Sequence, residues 1–425
     1  FASREIVSIE RAEGSLPGAE RGVKWEALGT MGDCVAQTTV LAGHLWDGSG
    51  APPQANVAIQ IAGGRIESCE ALDSTAEDRG RRLVDLRGFW VMPGLIDAHM
   101  HLWGLTPGEV SPADYETRLS IAERQAKALL HAGFTTIRDL GSPITPRIRD
   151  STSTDRPTAP RILAAHVGLT GARGPWLIPQ PSWWEARVVR GVASAGDAVR
   201  RLHDEGVDVV KIGASTGPGA EGFGDIPTLT IDEIRAVCEA AHGFGLPVAA
   251  HAIGSEAVRR CVAGGVDTIE HGYGLSDDDC DLVAASNAWI VPTLRTRAFR
   301  STAEAQATAR AQMDTLQRGV AAGIRYAAGT DSVGDAATLH GPGNALEIEL
   351  MGRVMPPDAA LASGTREAAQ MLGVDGETGT LAVGKCADLI AVPRDPRSDL
   401  LELQQVKFVM RSGRVVRDDT SAAES

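Results

Sequence analysis

Two histidines separated by one residue, His99 and His101, are the side chains in this sequence best suited to bind a metal ion. They follow the apolar run GLIDA, which is typical of a β-strand. Residues two apart on a strand point to the same side, so both imidazoles can reach one ion. A single pair of this kind is more often a coincidence than a metal site, and further ligands are needed to support the interpretation.

Four more residues able to bind metals follow other apolar runs: Lys211 in VDVVKIG, His251 in VAAHA, His271 in TIEHG and Asp331 in AAGTDS. Each has an ordinary structural explanation when taken alone. The lysine can extend to a strand end, a histidine can be hydrogen-bonded in the core, and an aspartate can cap a turn. Because all four follow an apolar run, the pattern favours one shared site.

The segment 93–378 alternates short apolar runs with helix-like stretches, which is typical of parallel strands joined by crossover helices. The helical stretches include apolar residues at spacings of three and four between Leu119 and Leu130, and a capping box of Thr230 and Glu233. Eight apolar runs are present, at 94–99, 134–139, 161–165, 207–212, 247–252, 266–271, 289–294 and 325–331. The sequence therefore predicts an α/β fold with a (β/α)8 TIM barrel, which would carry the candidate ligands at the carboxyl ends of its strands.

Strand-like runs also lie on both sides of this segment, at 38–48, 55–66, 81–92, 385–392 and 406–416. They predict a small β-sandwich domain built from residues 36–92 together with 379–425. Residues 1–35 lack clear periodicity and are expected to form an N-terminal extension. The chain begins at Phe1 rather than Met, which leaves open a removed leader peptide, and a cytoplasmic location is the expectation.

The composition argues against several classes of protein. Lys and Arg number 41 against 55 Asp and Glu, for a net charge of −14, so nucleic acid is not an expected partner. The six cysteines form no CxxC pair, which argues against a disulfide framework or a thiolate metal site. No apolar run approaches the roughly 18 residues of a membrane helix, so no membrane partner is expected. The sequence contains no P-loop motif that would argue for another chemistry.

Taken in order, these motifs resemble those of the amidohydrolase superfamily. The resemblance covers about residues 38–417, from PGLIDAHMH through the strand-four lysine, HA.G, IEHG and GTD to the terminal G.L..GK.ADL. The segments AGFTTIRDLG (132–141) and HGPGNALEIELM (340–351) make it most similar to the prolidase-like and imidazolonepropionase-like branch.

The resemblance implies a hydrolase with a binuclear metal centre. The implied ligands are His99, His101 and Asp331 for one ion, His251 and His271 for a second, and an N-carboxylated Lys211 that bridges both. Two divalent ions are expected, with Zn as the first choice and Co, Mn or Ni as alternatives. A hydroxide supplied by the metals would attack the carbonyl carbon, and the C–N bond would break as Asp331 transfers the proton to the leaving nitrogen. Oligomers are common in the family, so a homo-oligomer is expected.

Two substrate contacts of the dipeptide-cleaving relatives are changed in this chain. Those enzymes commonly carry TGGHG after strand three and HAYG after strand five, whereas the corresponding segments here are TGARG, with Arg173, and HAIG, with Ile253. The guanidinium of Arg173 could bind a carboxylate or polarise a carbonyl. The side chain of Ile253 cannot donate a hydrogen bond.

The loop after strand three is rich in aromatic residues. It reads GPWLIPQPSWWEA and contains Trp176, Trp183 and Trp184, while Trp103 follows the histidine pair. Tryptophans at this end of a barrel predict a pocket for an apolar or aromatic group. The alternative is a lid that packs on its own tryptophans or on another subunit.

The sequence thus favours hydrolysis of an amide, urea or carbamate C–N bond in a small molecule with an apolar or aromatic group. Amidohydrolases that act on phenylureas, thiocarbamates or ochratoxin-type amides are the precedents by analogy. An Xaa-Pro or related metallo-dipeptidase or carboxypeptidase, a cyclic-amide hydrolase or deaminase, and a non-enzymatic binding protein derived from this fold remain alternatives. Tyr273 and His340 are further candidates for substrate contacts, each with a structural role as the alternative.

Overall fold

The computed structural model of the protein describes residues 37–72, 81–105, 114–152, 157–176, 187–217 and 225–423. The expectations for residues 1–35 and for Trp183 and Trp184 lie outside these ranges.

The described residues contain strands and helices that alternate through the middle of the chain. The strands are β1 (Thr38–Leu45), β2 (Gln54–Ala62), β3 (Arg65–Ala71), β4 (Arg82–Pro93), β5 (Leu95–Met100), β6 (Phe134–Asp139), β7 (Arg161–Ala164), β8 (Leu169–Thr170), β9 (Arg187–Val188), β10 (Val210–Gly213), β11 (Val248–Ala252), β12 (Thr268–His271), β13 (Trp289–Val291), β14 (Leu389–Val392), β15 (Phe408–Arg411) and β16 (Arg414–Asp418). The α-helices are α1 (Tyr115–His131), α2 (Thr145–Ser151), α3 (Val192–Asp204), α4 (Ile231–Gly243), α5 (Ser255–Gly264), α6 (Asp277–Ala284), α7 (Arg295–Ala298), α8 (Ala303–Ala322), α9 (Leu346–Gly352), α10 (Pro357–Ser363) and α11 (Arg366–Leu372). Short 3-10 helices span Pro342–Ala345, Leu400–Gln404 and Thr420–Ala423.

The middle of the chain forms two parallel sheets, with strand orders β13-β12-β11-β10-β8-β9 and β5-β6-β7. Backbone hydrogen bonds link them through the segment 325–328, where an eighth strand is predicted. Ala327 N donates to Ile290 O at 3.1 Å, and Ala98 N donates to Ala328 O at 2.9 Å. The segment is bridged to β13 and β5, but the described residues do not form one continuous sheet, and a closed barrel stays a prediction.

A third sheet combines strands from both sides of this middle region. Its order is β16-β15-β14-β4-β1-β2-β3, with β1 parallel to β4 and antiparallel to β2. Apolar side chains from distant parts of the chain, among them Val40, Ile59, Leu389 and Phe408, form its core. The described strands of this region belong to one seven-stranded sheet, so the predicted sandwich of two facing sheets also stays a prediction.

The helices bury the faces that their sequences predict. In α1 the apolar positions Leu119, Ala122 and Leu130 are all buried, and each buried leucine contributes about 1.5–3 kcal/mol of stability. Helix α4 begins with the predicted capping box, in which Thr230 and Glu233 satisfy each other's backbone N–H groups. Among the described helices, none has the length and apolar character needed to cross a bilayer.

Candidate metal centre and active site

The residues proposed as metal ligands line one cavity with a volume of about 220 Å³. They are His99, His101, Lys211, His251, His271 and Asp331. Parallel pairing explains their convergence, because Gly213 lies opposite His251 in the β10–β11 register, and Ala252 lies opposite His271 in the β11–β12 register. Neighbouring parallel strands therefore present their carboxyl ends, and these side chains, at the same edge.

Asp331 is the residue around which the imidazoles gather. Its Oδ1 atom lies 3.1 Å from His101 Nε2 and 3.4 Å from His99 Nε2. The ring centroids of His99 and His271 are 5.3 Å apart, and those of His251 and His271 are 4.5 Å apart. Potential ligand atoms of His99, His271 and Asp331 all lie within 4.8 Å of one another, which is a suitable spacing for a shared cation.

The orientation of His99 is set by a hydrogen bond to the buried carboxylate of Glu270. Its Nδ1 lies 2.8 Å from Glu270 Oε2, and the other carboxylate oxygen of Glu270 accepts a 2.8 Å hydrogen bond from Arg138 Nη2. Burial raises the pKa of Glu270, but the charges of Arg138 and His99 outweigh it and hold that pKa well below its usual range. The carboxylate therefore stays ionised and accepts a hydrogen bond from the Nδ1–H of His99, which leaves His99 Nε2 as a lone-pair donor.

Two more imidazoles are held by one ring nitrogen each. His271 Nδ1 lies 2.8 Å from Thr293 Oγ1, and His251 Nε2 lies 3.0 Å from the carbonyl oxygen of Thr216. In both rings the second nitrogen makes no hydrogen bond with a residue that the structure describes. Histidine metal ligands commonly show this arrangement, in which one nitrogen is fixed by the protein and the other binds the ion.

The ionisation states suit metal binding. Burial, with a further contribution from the positive charge of Lys211, lowers the pKa of His99 and of His251 to about 4. Burial also lowers the pKa of His271 well below its usual value. Burial acts to raise the pKa of Asp331, but the neighbouring His99 and His101 outweigh this effect and hold the pKa below its usual range. Neutral imidazoles beside a carboxylate are the ligand forms that divalent ions require.

Lys211 is enclosed and has an amine without a hydrogen-bond partner. It is 1% exposed, and its Nζ atom makes no hydrogen bond with any residue that the structure describes. Burial lowers the pKa of this amine to about 8. The ring centroid of Trp176 lies 6.0 Å from Nζ. An unpaired buried ammonium is unfavourable, so the position fits a lysine whose amine is modified and binds metal.

The backbone is strained at two of the candidate ligands. His271 has φ +73° and Asp331 has φ +51°, in the left-handed region, which costs about 1–3 kcal/mol for each non-glycine residue. Asp331 is held there because its N–H donates to His99 O at 2.6 Å. The glycine of the GTD motif, Gly329, is required by close packing, since a Cβ at that position would lie 2.6 Å from the backbone nitrogen of His99.

Four of the predicted substrate contacts, Trp103, Trp176, Ile253 and Tyr273, line the same cavity. The indole of Trp103 donates to Gly141 O at 2.6 Å and lies beside His101, with ring centroids 4.7 Å apart. The ring of Trp176 packs so closely on Gly168 that a Cβ there would overlap it. These rings form fixed apolar walls next to the candidate ligands.

The other two predicted contacts lie elsewhere. Arg173 is exposed and does not line the cavity. His340 also lies outside the lining, and its Nε2 is 3.1 Å from the carbonyl oxygen of His101. This contact favours the structural alternative for His340, which ties its loop to the end of strand β5.

Several residues of this region are missed by sequence reasoning. Glu270 and Arg138 are charged residues inside the apolar strand runs TIEH and FTTIRD, and that pattern could have marked them as a buried pair. Arg297 and Gln312 line the cavity from α7 and α8, where their local sequence gives no comparable signal.

The geometry agrees with a family model. Residues 90–416 match the model described as Amidohydrolase family. The chain belongs to the amidohydrolase family. It is therefore a hydrolase that acts on C–N bonds, in a family whose members generally use divalent metals and act on small molecules.

Three individual proteins illustrate what this amidohydrolase is similar to. An uncharacterized protein of Mycobacterium tuberculosis is 29% identical over 385 residues, which cover 86% of this chain and 94% of that protein. The imidazolonepropionase of Pseudomonas putida is 27% identical, with 81% and 89% covered. A crystal structure of a Xaa-Pro dipeptidase with bound methionine matches with a TM-score of 0.81 and 28% identity, covering 89% of this chain and 99% of that one.

Proposed function

We propose that this amidohydrolase cleaves an amide, urea or carbamate C–N bond in a small molecule that carries an apolar or aromatic group. One observation carries the proposal: a single cavity combines the candidate metal ligands with the rings of Trp103 and Trp176. Polar reacting groups at the cavity floor and apolar walls beside them suit a substrate with one polarised bond and one apolar substituent.

The proposed metal centre holds two divalent ions, preferably Zn. Its ligands are His99, His101 and Asp331 for one ion, His251 and His271 for the other, and an N-carboxylated Lys211 between them. Two observations support this assignment: the buried amine of Lys211 has no hydrogen-bond partner among the described residues, and His99 and His271 each have one ring nitrogen held by the protein. When bound, such ions lower the pKa of a water molecule and polarise a carbonyl group.

The side chains of the chain would then divide the remaining tasks. Asp331, within 3.1 Å of His101, accepts the proton of the attacking water and delivers it to the leaving nitrogen. Glu270 keeps His99 in one tautomer. Trp103 and Trp176 contact the apolar group and exclude bulk water from the reacting bond.

Residues 93–378 are proposed to form a closed eight-stranded barrel, in which the segment 325–328 completes the ring between β13 and β5. Residues 36–92 and 379–425 form the small β domain. This organisation leaves the carboxyl ends of the barrel strands open to substrate.

A metallo-dipeptidase is the second candidate. The match with the Xaa-Pro dipeptidase structure favours it, since that chain is covered over 99% of its length. The apolar side chain of Ile253 in the cavity wall argues against a dipeptidase, because dipeptide-cleaving relatives commonly have the tyrosine of HAYG at this position. The likeness to imidazolonepropionase supports a third test class, the cyclic amides.

A substrate panel tests the proposal. The full chain, prepared with zinc and bicarbonate, is assayed on phenylureas, anilides and N-acyl amino acids, on Xaa-Pro and Xaa-Arg dipeptides, and on cyclic amides. We expect turnover of the first group, with an aromatic substituent preferred. Turnover confined to dipeptides or to cyclic amides would refute the proposal. Fewer than about one metal ion per chain, with no hydrolysis, would instead indicate a binding protein.

A further inference from the structure

Three arginines follow strand β13, and they differ in their partners. The guanidinium of Arg295 donates to Leu339 O at 3.0 Å. The guanidinium of Arg300 is 3.2 Å from an Asp335 carboxylate oxygen. The guanidinium of Arg297 makes no hydrogen bond and no ion pair with any residue in the described ranges. Neighbouring positions thus support the fold through Arg295 and Arg300, while the donors of Arg297 are left available.

Arg297 lines the cavity that contains the candidate metal ligands. The described lining contains two residues of the Lys or Arg type, Arg297 and Lys211. The amine of Lys211 is enclosed next to the imidazoles. The side chain of Arg297 is half-buried. A cation without partners in the wall of a substrate cavity is a site for an anionic group of the substrate.

Tyr273 provides a second donor in the same cavity. The carbonyl oxygen of Tyr273 accepts a 2.9 Å hydrogen bond from the backbone nitrogen of Gly254, so the backbone of Tyr273 lies next to the segment that contains Ile253. The Tyr273 side chain is 6% exposed and, among the described residues, its hydroxyl has no hydrogen-bond partner. A phenol hydroxyl is a hydrogen-bond donor, so Tyr273 can donate to a group bound in this cavity.

We infer that Arg297 and Tyr273 together bind a carboxylate of the substrate. This inference rests on the proposed function, and it narrows the substrate class to C–N compounds that carry a carboxylate, such as N-aroyl and other N-acyl amino acids. The planar guanidinium presents two parallel N–H donors to the two oxygens of a carboxylate, and the phenol adds a third donor. Dipeptide-cleaving relatives commonly carry a tyrosine in the segment HAYG, where this chain has Ile253. Arg297 and Tyr273 would replace that tyrosine as donors to the substrate.

Equilibrium binding tests the inference without requiring turnover. Metal-loaded full chain is titrated with 3-phenylpropanoate and with 3-phenylpropanamide, which match in shape and differ in charge. We expect the acid to bind at least about tenfold more tightly than the amide, since charge-assisted hydrogen bonds are the stronger ones. Arg297→Gln should bring the ratio of the two affinities close to one. Tyr273→Phe should lower the ratio by a smaller factor.

Two further variants control the measurement. Arg310→Gln removes the same charge from an exposed position on helix α8, and the ratio should remain as in the wild type. Arg297→Lys keeps the positive charge but lacks the planar guanidinium, so an intermediate ratio of the two affinities is expected. This variant replaces Arg297→Gln in the test if the glutamine variant does not fold.

The inference is overturned if the wild type does not prefer the acid, or if the preference survives Arg297→Gln, as it would if the metals alone bound the carboxylate. A lower kcat on charged and uncharged substrates alike, with an unchanged affinity ratio, would show that Arg297 acts on the reacting carbonyl instead, and would also overturn it. Failure of the substrate panel would refute the proposed function, while the binding ratio would still be measurable.

Discussion

The Nδ1 atom of His99 lies 2.8 Å from a carboxylate oxygen of Glu270, and both side chains are at most 1% exposed. The contact fixes the proton on Nδ1 and turns Nε2 toward Asp331. Because Glu270 also accepts a hydrogen bond from Arg138, the position of one candidate ligand depends on strands β5, β6 and β12 together.

Glu270→Gln should weaken metal binding by about 10- to 100-fold, since residues that orient a ligand typically contribute that much. The amide has one acceptor oxygen, so it cannot accept both the hydrogen bond from His99 Nδ1 and the hydrogen bond from Arg138 Nη2. Metal content after dialysis against graded chelator measures the effect. Glu239→Gln, at an exposed position of α4, is the control and should retain the wild-type affinity. If both variants retained the metal equally well, the contact between Glu270 and His99 would not be what positions His99 for metal binding.

Asp331→Asn should reduce kcat by about 10²- to 10⁴-fold, because the amide cannot carry the proton to the leaving nitrogen. Most of the metal should remain bound, since the imidazoles and Lys211 are unchanged. Turnover and metal content are measured on the same preparation. Activity near that of the wild type would contradict the proton-transfer role, and loss of both metals would assign Asp331 a mainly structural role.

Lys211→Ala should lose one metal and most activity, because the proposed bridge is removed. A short-chain carboxylate such as propionate fits the space vacated by the side chain and should restore part of both. The measurement is metal content and turnover with and without propionate, using Lys127→Ala as a variant outside the cavity. Full metal loading in Lys211→Ala without any added acid would argue against a bridging role.

Gly168→Ala should displace Trp176, because the added Cβ overlaps the indole ring. We expect a shift in tryptophan fluorescence and a raised KM for substrates with an aromatic group, with a smaller effect on metal content. Gly196→Ala on helix α3 is the matched control, since a Cβ there meets no described atom within 4 Å. Unchanged kinetics in Gly168→Ala would show that Trp176 does not contact substrate.

Asp388→Asn should lower the free energy of unfolding by about 3–5 kcal/mol at pH 7, because it removes the carboxylate charge that lies 2.7 Å from the buried guanidinium of Arg161. Burial raises the pKa of Asp388, but Arg161 outweighs it and holds that pKa below the usual value. The stabilisation is therefore present above the unfolded-state pKa of about 4 and is lost as the pH falls toward the folded-state pKa.

Urea unfolding at pH 7, 5 and 3.5 checks this pH dependence, and the difference between wild type and Asp388→Asn should shrink only at the lowest pH. Asp314→Asn, an exposed position of α8, should follow the wild type throughout. A difference that does not change with pH would mean that the ion pair contributes through packing alone.

Local sequence predicted a large part of the fold. The run GLIDAH corresponds to β5, VAAHA to β11 and TIEH to β12, because each combines an apolar stretch with clear ends. The expected strand at 289–294 is shorter in the structure, where β13 ends at Val291. The order of the seven-stranded sheet could not be predicted, since it pairs strands that are distant in sequence, such as β4 and β14 through Pro93 and Leu389.

The sequence by itself determined the types of the candidate ligands and their location at strand ends, because a strand run and the residue that follows it are local features. Only the tertiary structure decided which side chains share the cavity. It brought Arg297 in and left Arg173 outside, and it joined His99 to Glu270 across 171 residues. Such contacts depend on which strands become neighbours and how the connecting segments fold over them, and no short stretch of sequence carries that information.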